Sequence, residues 1–170
     1  MQFGIAGNDA LTWAFPQKRV VHAGLQGSLV SPRESRQIWQ DLMAQAPTGK
    51  GVQTAYIHIP FCKTKCLYCG FFQNGMDQSV EDEYIRCLVQ ELRQAAKAPR
   101  LRDSLIHAVF IGGGTPTSLS ADNAARLLGA VRDCLPLAND YELTLEGRVH
   151  DLEPEKIDTW LAYGVNRISL

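Results

Sequence analysis

Ser104-Leu105-Ile106-His107-Ala108-Val109-Phe110-Ile111 runs straight into Gly112-Gly113-Gly114-Thr115-Pro116-Thr117, and the reading of this stretch decides the fold. The first part has the length and apolar character of a buried strand. Three glycines then open backbone torsions closed to other residues, which predicts a tight turn at the strand's carboxyl end. Ser120 is placed to cap a helix, with Asp122 in its first turn and Ala125, Leu127, Leu128 and Val131 along it to about Leu135. Strand, glycine turn and helix make one βα unit.

The same alternation extends to both sides. Gln53 to Ile59 predicts an earlier strand and Ser79 to Ala96 the helix after it. Tyr141 to Glu146 predicts a third strand; Pro154 and Gly164 bracket a helix holding Ile157, Trp160 and Leu161; Val165 to Leu170 reads as a fourth strand. The order βαβαβαβ predicts an α/β fold of parallel strands with outer helices, either doubly wound or part of a barrel. Residues 1 to 50 are irregular, broken by Pro16, Gly24, Gly27 and Pro32, until Ser31-Pro32-Arg33-Glu34 opens a short helix carrying Ile38, Trp39, Leu42 and Met43. They read as an N-terminal extension that packs on a core elsewhere. Arg167-Ile168-Ser169-Leu170 stops inside an apolar run with no turn or cap, which predicts a truncated chain whose domain, over 51–170, is incomplete.

Of the 170 residues, 45% are hydrophobic and 21% charged, a composition that predicts a soluble globular domain. A formal charge of −1 gives no basic excess to draw the chain to nucleic acid or anionic lipid. Residues 1 to 25 hold no uninterrupted apolar stretch, so neither a secretory signal nor a membrane span is predicted, and a cytoplasmic location is expected. Five cysteines, three of them crowded together, argue for thiols kept reduced for metal rather than for a disulfide framework. Cys87 and Cys134 fall on helical patterns and read as small core residues.

The crowded three are Cys62, Cys66 and Cys69, just after Tyr56-Ile57-His58-Ile59-Pro60-Phe61. An iron–sulfur cube is normally held by four cysteines, so a loop offering three leaves one iron open to an outside ligand. Tyr68, Phe71 and Phe72 are placed to shield such a site. Structural zinc is the rival, and its closed tetrahedron would need His58, His22 or Cys87 as a recruit. The glycine turn fails as a dinucleotide loop, because Thr117 stands at the third glycine, and fails as a P-loop for want of Gly-Lys-Ser/Thr. It suits a small zwitterion, whose ammonium can meet carbonyls while Thr115 and Thr117 add hydroxyls; a plain tight turn is the alternative. Glu146 ends the third strand, and its partner is Arg148, Arg167 or a polar group of a ligand. The cysteines, the glycine turn and Glu146 all fall at carboxyl ends of strands, where α/β folds place their sites. His58 reads as a satisfied histidine in or beside the core. His22 cannot be placed, and Lys63 and Lys65 either offset cluster charge or are solvated.

With these motifs on a βα frame, residues 53 to 170 resemble the radical S-adenosylmethionine enzymes. Tyr56 to Cys62, Gly112 to Thr117 and Gly164-Val165-Asn166-Arg167-Ile168-Ser169-Leu170 look like the oxygen-independent coproporphyrinogen dehydrogenase group and its haem-chaperone relatives. Two details depart: Gly70-Phe71-Phe72-Gln73-Asn74, and Glu146-Gly147-Arg148 where many relatives have Glu-x-Asn-Pro or Glu-x-Asp-Pro. These, with Ala14-Phe15-Pro16 and Val21-His22-Ala23-Gly24, look closer to the anaerobic haem-utilisation branch of haem-degrading radical methyltransferases.

The resemblance implies the N-terminal part of a partial (β/α)6 TIM-like barrel. It implies a 4Fe-4S cluster on Cys62, Cys66 and Cys69, whose open iron chelates S-adenosyl-L-methionine, and a 5′-deoxyadenosyl radical made when one electron splits the sulfonium. Gly113, Gly114 and Thr115 would hold the methionine part or a second such molecule, Glu146 a polar group of the first, and Tyr56 and Tyr68 the adenosine. The implied reaction is methyl transfer to haem with anaerobic ring opening and iron release. Coproporphyrinogen dehydrogenation and haem chaperoning are the alternatives. The implied partners are haem or another tetrapyrrole and an electron donor such as flavodoxin or ferredoxin. Relatives are more than twice this length, so the 170 residues alone are expected to be poorly stable and inactive.

Overall fold

The computed structural model describes residues 30–49, 52–67, 69, 74–75 and 77–170. Tyr68, His22, and the segments 14–16, 21–24 and 70–73 lie outside the described residues. In chain order the elements are α1 (Pro32–Ala44), β1 (Gln53–Ile59), β2 (Phe61–Cys62), β3 (Asn74–Gly75), α2 (Gln78–Ala95), α3 (Pro99–Arg102), β4 (Ile106–Gly113), α4 (Ala121–Cys134), β5 (Leu137–Glu146), α5 (Pro154–Ala162) and β6 (Arg167–Ser169). Single 3₁₀ turns follow β4 at Pro116–Ser118 and β5 at Val149–Asp151.

Residues 36–170 form one compact unit. Its sheet has the order β1-β4-β5-β6 with every pair parallel. Each strand lies beside the next one in the chain, so the winding never reverses. A doubly wound sheet needs such a reversal, and of the two arrangements open to the sequence this one is the barrel-type arc.

Register sorts the side chains. Tyr56, Phe110, Thr144 and Arg167 are level with one another, and Ile57, Ile111, Leu145 and Ile168 form the adjacent row. Side chains alternate between faces along a strand. One face therefore carries Ile57, Ile59, Val109, Ile111, Leu143 and Leu145, all buried in the main apolar cluster with Ile85, Val89, Leu127, Leu128, Val131 and Trp160 of the helices. Cutting one of the fully buried members to alanine costs about 2–5 kcal/mol. The other face carries Tyr56, His58 and Phe110, of which the first two are exposed.

The helix ends follow their sequence signals. Asp77 caps α2 by accepting from the Ser79 and Val80 amides, and the Ser120 hydroxyl caps α4 by accepting from the Asn123 amide at 3.3 Å. Past α5, Gly164 takes φ +86°, its amide donates to the Leu161 carbonyl, and that of Val165 donates to Trp160. This pattern satisfies the orphan carbonyls of the last turn. Two expectations need correction. No residue of α1 is buried, and Ile38, Trp39 and Leu42 are exposed, so its apolar positions are not packed into a core. Cys87 is exposed, because the buried stripe of α2 runs through Glu81, Ile85, Val89 and Leu92 and passes it by.

Glu81 is a buried carboxylate with a complete account. It accepts from the Ser120 amide and hydroxyl, both at 3.0 Å, and from Asn123 Nδ2 at 2.8 Å, and so clamps α2 to the start of α4. That start follows the 3₁₀ turn through which the chain leaves the glycines.

Candidate functional site

At the carboxyl edge of the sheet lies a cavity of about 500 Å³. Its lining includes Cys62, Cys66 and Cys69, the turn residues Gly113, Gly114 and Thr115, and Tyr56, His58, Glu146 and Arg148. Eight of these positions follow from one geometric fact: parallel strands deliver their carboxyl ends, and the loops after them, to one side. A wider open groove between α2 and α4 is lined by side chains paired with each other, among them Asp82 with Asn123 and Glu83 with Arg86.

The glycine turn is fixed by its amides. Gly113 donates to Glu146 Oε2 at 2.9 Å, Gly114 to the Ile59 carbonyl at 2.7 Å, and Thr115 to the Phe61 carbonyl at 2.8 Å. With these amides turned to protein acceptors, the turn is no anion-binding nest. The glycines are sterically required. Gly113 has φ +121°, and a Cβ there would sit 2.7 Å from the His58 ring; a Cβ on Gly112 would sit 2.7 Å from Glu146 Oε2. The bare backbone at 112 and 113 makes room for the Glu146 carboxylate and the His58 imidazole side by side.

Glu146 takes neither of the arginines that its sequence neighbourhood offered. Arg167 pairs with Glu142 at 2.9 Å, and Arg148 reaches Asp151 and Thr64. Among the described residues the carboxylate's hydrogen-bond partner is the Gly113 amide, which leaves its remaining acceptor capacity to the cavity. Tyr56 Oη lies 3.0 Å from His58 Nδ1, and its ring stacks on Phe110 at 6.2 Å between centroids. Burial first, and the Glu146 charge second, push the Tyr56 phenol above its ordinary value. His58 is thus satisfied by a tyrosine, on the open face rather than in the core.

The sequence expected two threonine hydroxyls for a ligand. Thr115 does line the cavity, but Thr117 is fully buried: its hydroxyl accepts from the Arg148 amide at 3.2 Å and lies 3.4 Å from Asp151 Oδ2. Its role is internal. Asp151, which the sequence reading did not single out, is buried beneath the cysteine loop and faces Arg148 at 3.3 Å and Lys63 at 3.9 Å. Lys63 therefore has a partner of its own, and Lys65 is exposed.

The three cysteines are half-buried, and a turn bond from the Cys69 amide to the Cys66 carbonyl at 3.1 Å brings the second and third together. Among the described residues no group of three His, Cys, Asp or Glu side chains is closed into a metal cage. The donor set nevertheless suits an iron–sulfur cube better than zinc: it is all thiol, it comes from one short loop, and His58, the nearest imidazole, is engaged with Tyr56. Among the described residues no helix is long and apolar enough to cross a membrane.

Comparison with known proteins agrees with this geometry. Residues 56–170 match the family model of the radical SAM superfamily. The chain is 40% identical over 141 residues to anaerobilin synthase of Escherichia coli O157:H7, covering 83% of this chain and 32% of that protein. It is 37% identical over 120 residues to heme chaperone HemW of Haemophilus influenzae, covering 68% and 31%. Among solved structures it superposes on coproporphyrinogen III oxidase (HemN) from Escherichia coli, described as a radical SAM enzyme, with a TM-score of 0.64 and 29% identity over 78% of this chain and 30% of that one. The chain thus spans about a third of the length of the relatives it matches. With a family model covering most of the chain, and cysteines, glycine turn and acid around one cavity, the protein belongs to the radical SAM superfamily.

Proposed function

We propose that this protein is a radical S-adenosylmethionine enzyme acting on a tetrapyrrole, and that its reaction is methyl transfer to haem with anaerobic ring opening and release of iron. The observation that carries the proposal is the single cavity in which Cys62, Cys66 and Cys69 face the glycine turn and Glu146. In this reading the three cysteines hold a 4Fe-4S cluster with one iron open. When bound, that cluster supplies the electron that cleaves the sulfonium of S-adenosylmethionine. The chain's own groups bind and orient: carbonyls around Gly113, Gly114 and Thr115 accept from the ammonium, Glu146 takes a hydroxyl or ammonium, and Tyr56 and Tyr68 line the adenosine. Tyr56 is backed by Phe110, on which its ring stacks.

The tetrapyrrole assignment is supported by the likeness to anaerobilin synthase and to a heme chaperone. Haem is preferred as substrate because the match to the synthase joins 40% identity to 83% of the chain. An electron donor such as flavodoxin or ferredoxin completes the scheme. The test is anaerobic incubation of the full-length protein with haem, reductant and S-adenosylmethionine, followed by absorption. Loss of the haem Soret band with a methylated open-chain product is expected. An intact Soret band with decarboxylation of coproporphyrinogen would give the biosynthetic reading instead, and intact haem passed to an acceptor would give the chaperone reading.

A further inference from the structure

Thr64 stands in the middle of the Cys62–Cys66 spacing, and its hydroxyl accepts from Arg148 Nη1 at 2.7 Å. The same guanidinium donates through Nε to Asp151 Oδ2 at 3.3 Å, while the Arg148 amide donates to Thr117 Oγ1 at 3.2 Å. Lys63, next to Cys62, faces the other Asp151 oxygen at 3.9 Å. Beneath them the ammonium of buried Lys156 donates to the Thr117 carbonyl at 3.4 Å, and Gly147 lies so close to the Thr117 side chain that a Cβ there would collide with it. Arg148 therefore joins three loops that the chain presents separately: the cysteine loop after β1, the turn after β4 and the turn after β5.

We infer that Arg148 is a positioning residue, which through Thr64 holds the cysteine loop at a set distance from the glycine turn and Glu146. This rests on the reading that the three cysteines hold the cluster. The physical case is that a short loop with exposed Lys63, Thr64 and Lys65 has few apolar contacts of its own to fix it. A planar guanidinium reaches two acceptors at once in a fixed geometry. An Asn or Asp at this position would be too short to bridge Asp151 and Thr64. Neighbours that orient ligating side chains are worth much in metal retention even though they touch no metal.

The test uses the full-length protein with its cluster reconstituted anaerobically, in five forms: unaltered, Thr64→Val, Thr64→Ser, Arg148→Ala and the Thr64→Val/Arg148→Ala double variant. The readout is the rate at which an iron chelator strips the cluster, with the low-temperature EPR spectrum of the reduced cluster beside it. Either Thr64→Val or Arg148→Ala is expected to speed iron loss by roughly tenfold and to broaden the EPR signal. The double variant is expected to be no faster than either single, and Thr64→Ser to match the unaltered protein. Unchanged stripping rates, or effects that simply multiply in the double variant, would overturn the inference. Should Arg148→Ala fail to fold, the Val and Ser variants at the exposed Thr64 decide the matter by themselves. An unaltered protein that takes up no iron and sulfide would instead sink the cluster reading, and this inference with it.

Discussion

The Glu146 carboxylate accepts a hydrogen bond from the Gly113 amide at 2.9 Å, joining the end of β5 to the turn after β4 across 33 positions of chain. The same carboxylate raises the Tyr56 phenol, after burial, above its ordinary value. Glu146→Gln keeps an acceptor for Gly113 and removes the charge. The Tyr56 phenol should then titrate at lower pH than in the unaltered protein, yet still above a free tyrosine because the partial desolvation of its hydroxyl is untouched. An ultraviolet titration compared with a Tyr56→Phe variant isolates this group, and a phenol that does not move would show that the two do not interact. The same variant should bind S-adenosylhomocysteine more weakly by equilibrium dialysis.

Gly113→Ala forces a side chain into φ +121° and against the His58 ring. The strain is expected to cost roughly 1–3 kcal/mol, read from urea unfolding. Gly75→Ala is the control, since a Cβ there meets nothing within 4 Å. Equal stability of the two variants would contradict the steric account of the glycine turn.

Glu81→Ala strips the Ser120 amide and the Asn123 side chain of a buried partner at the entrance to α4. A loss of about 3 kcal/mol is expected, against about 1 kcal/mol for Ser120→Ala, which removes a cap and leaves Glu81 two of its donors. Equal losses in chemical denaturation would mean that the carboxylate is not the organising group.

Cys87 and Cys134 differ in environment: the first is exposed on α2, while burial, and then the nearby Asp133, push the Cys134 thiol up. Since the thiolate is the reactive form, a maleimide at pH 8 should modify Cys87 well before Cys134, as read by peptide mass mapping. The reverse order would place Cys87 in the core, where its helical position first suggested it.

Local grammar made much of this legible. Ser120 as cap and Pro154 and Gly164 as brackets are short-range signals that appear where the sequence put them, while the strand before the glycines starts two residues later and takes in Gly112 and Gly113. Glu146 beside a site was also legible, because strand ends in α/β folds converge. What the sequence hid was long-range. Arg148, two positions from Glu146, and Arg167 were the partners the sequence offered, but the turn after β5 sends Arg148 to Asp151, Arg167 pairs with Glu142, and a glycine amide meets the acid instead. Thr117 looked like a ligand hydroxyl by adjacency to Thr115, yet the 3₁₀ turn at Pro116–Ser118 rotates it inward. The start of β5 at Leu137 was missed because Asn139 and Asp140 are polar and exposed; Leu137 pairs with Ile106, and the register slips across these residues before pairing resumes at Glu142 with Ala108.

The central claim is a cube held by Cys62, Cys66 and Cys69 with its fourth iron open. The most direct measurement is EPR of the anaerobically reconstituted, reduced protein before and after S-adenosylmethionine is added, with metal and sulfide analysis of the same sample. The account predicts about four irons and four sulfides per chain, and a signal that changes when the sulfonium compound binds the open iron. Zinc in place of iron, or a cluster whose spectrum is indifferent to S-adenosylmethionine because a side chain fills the fourth corner, would contradict it.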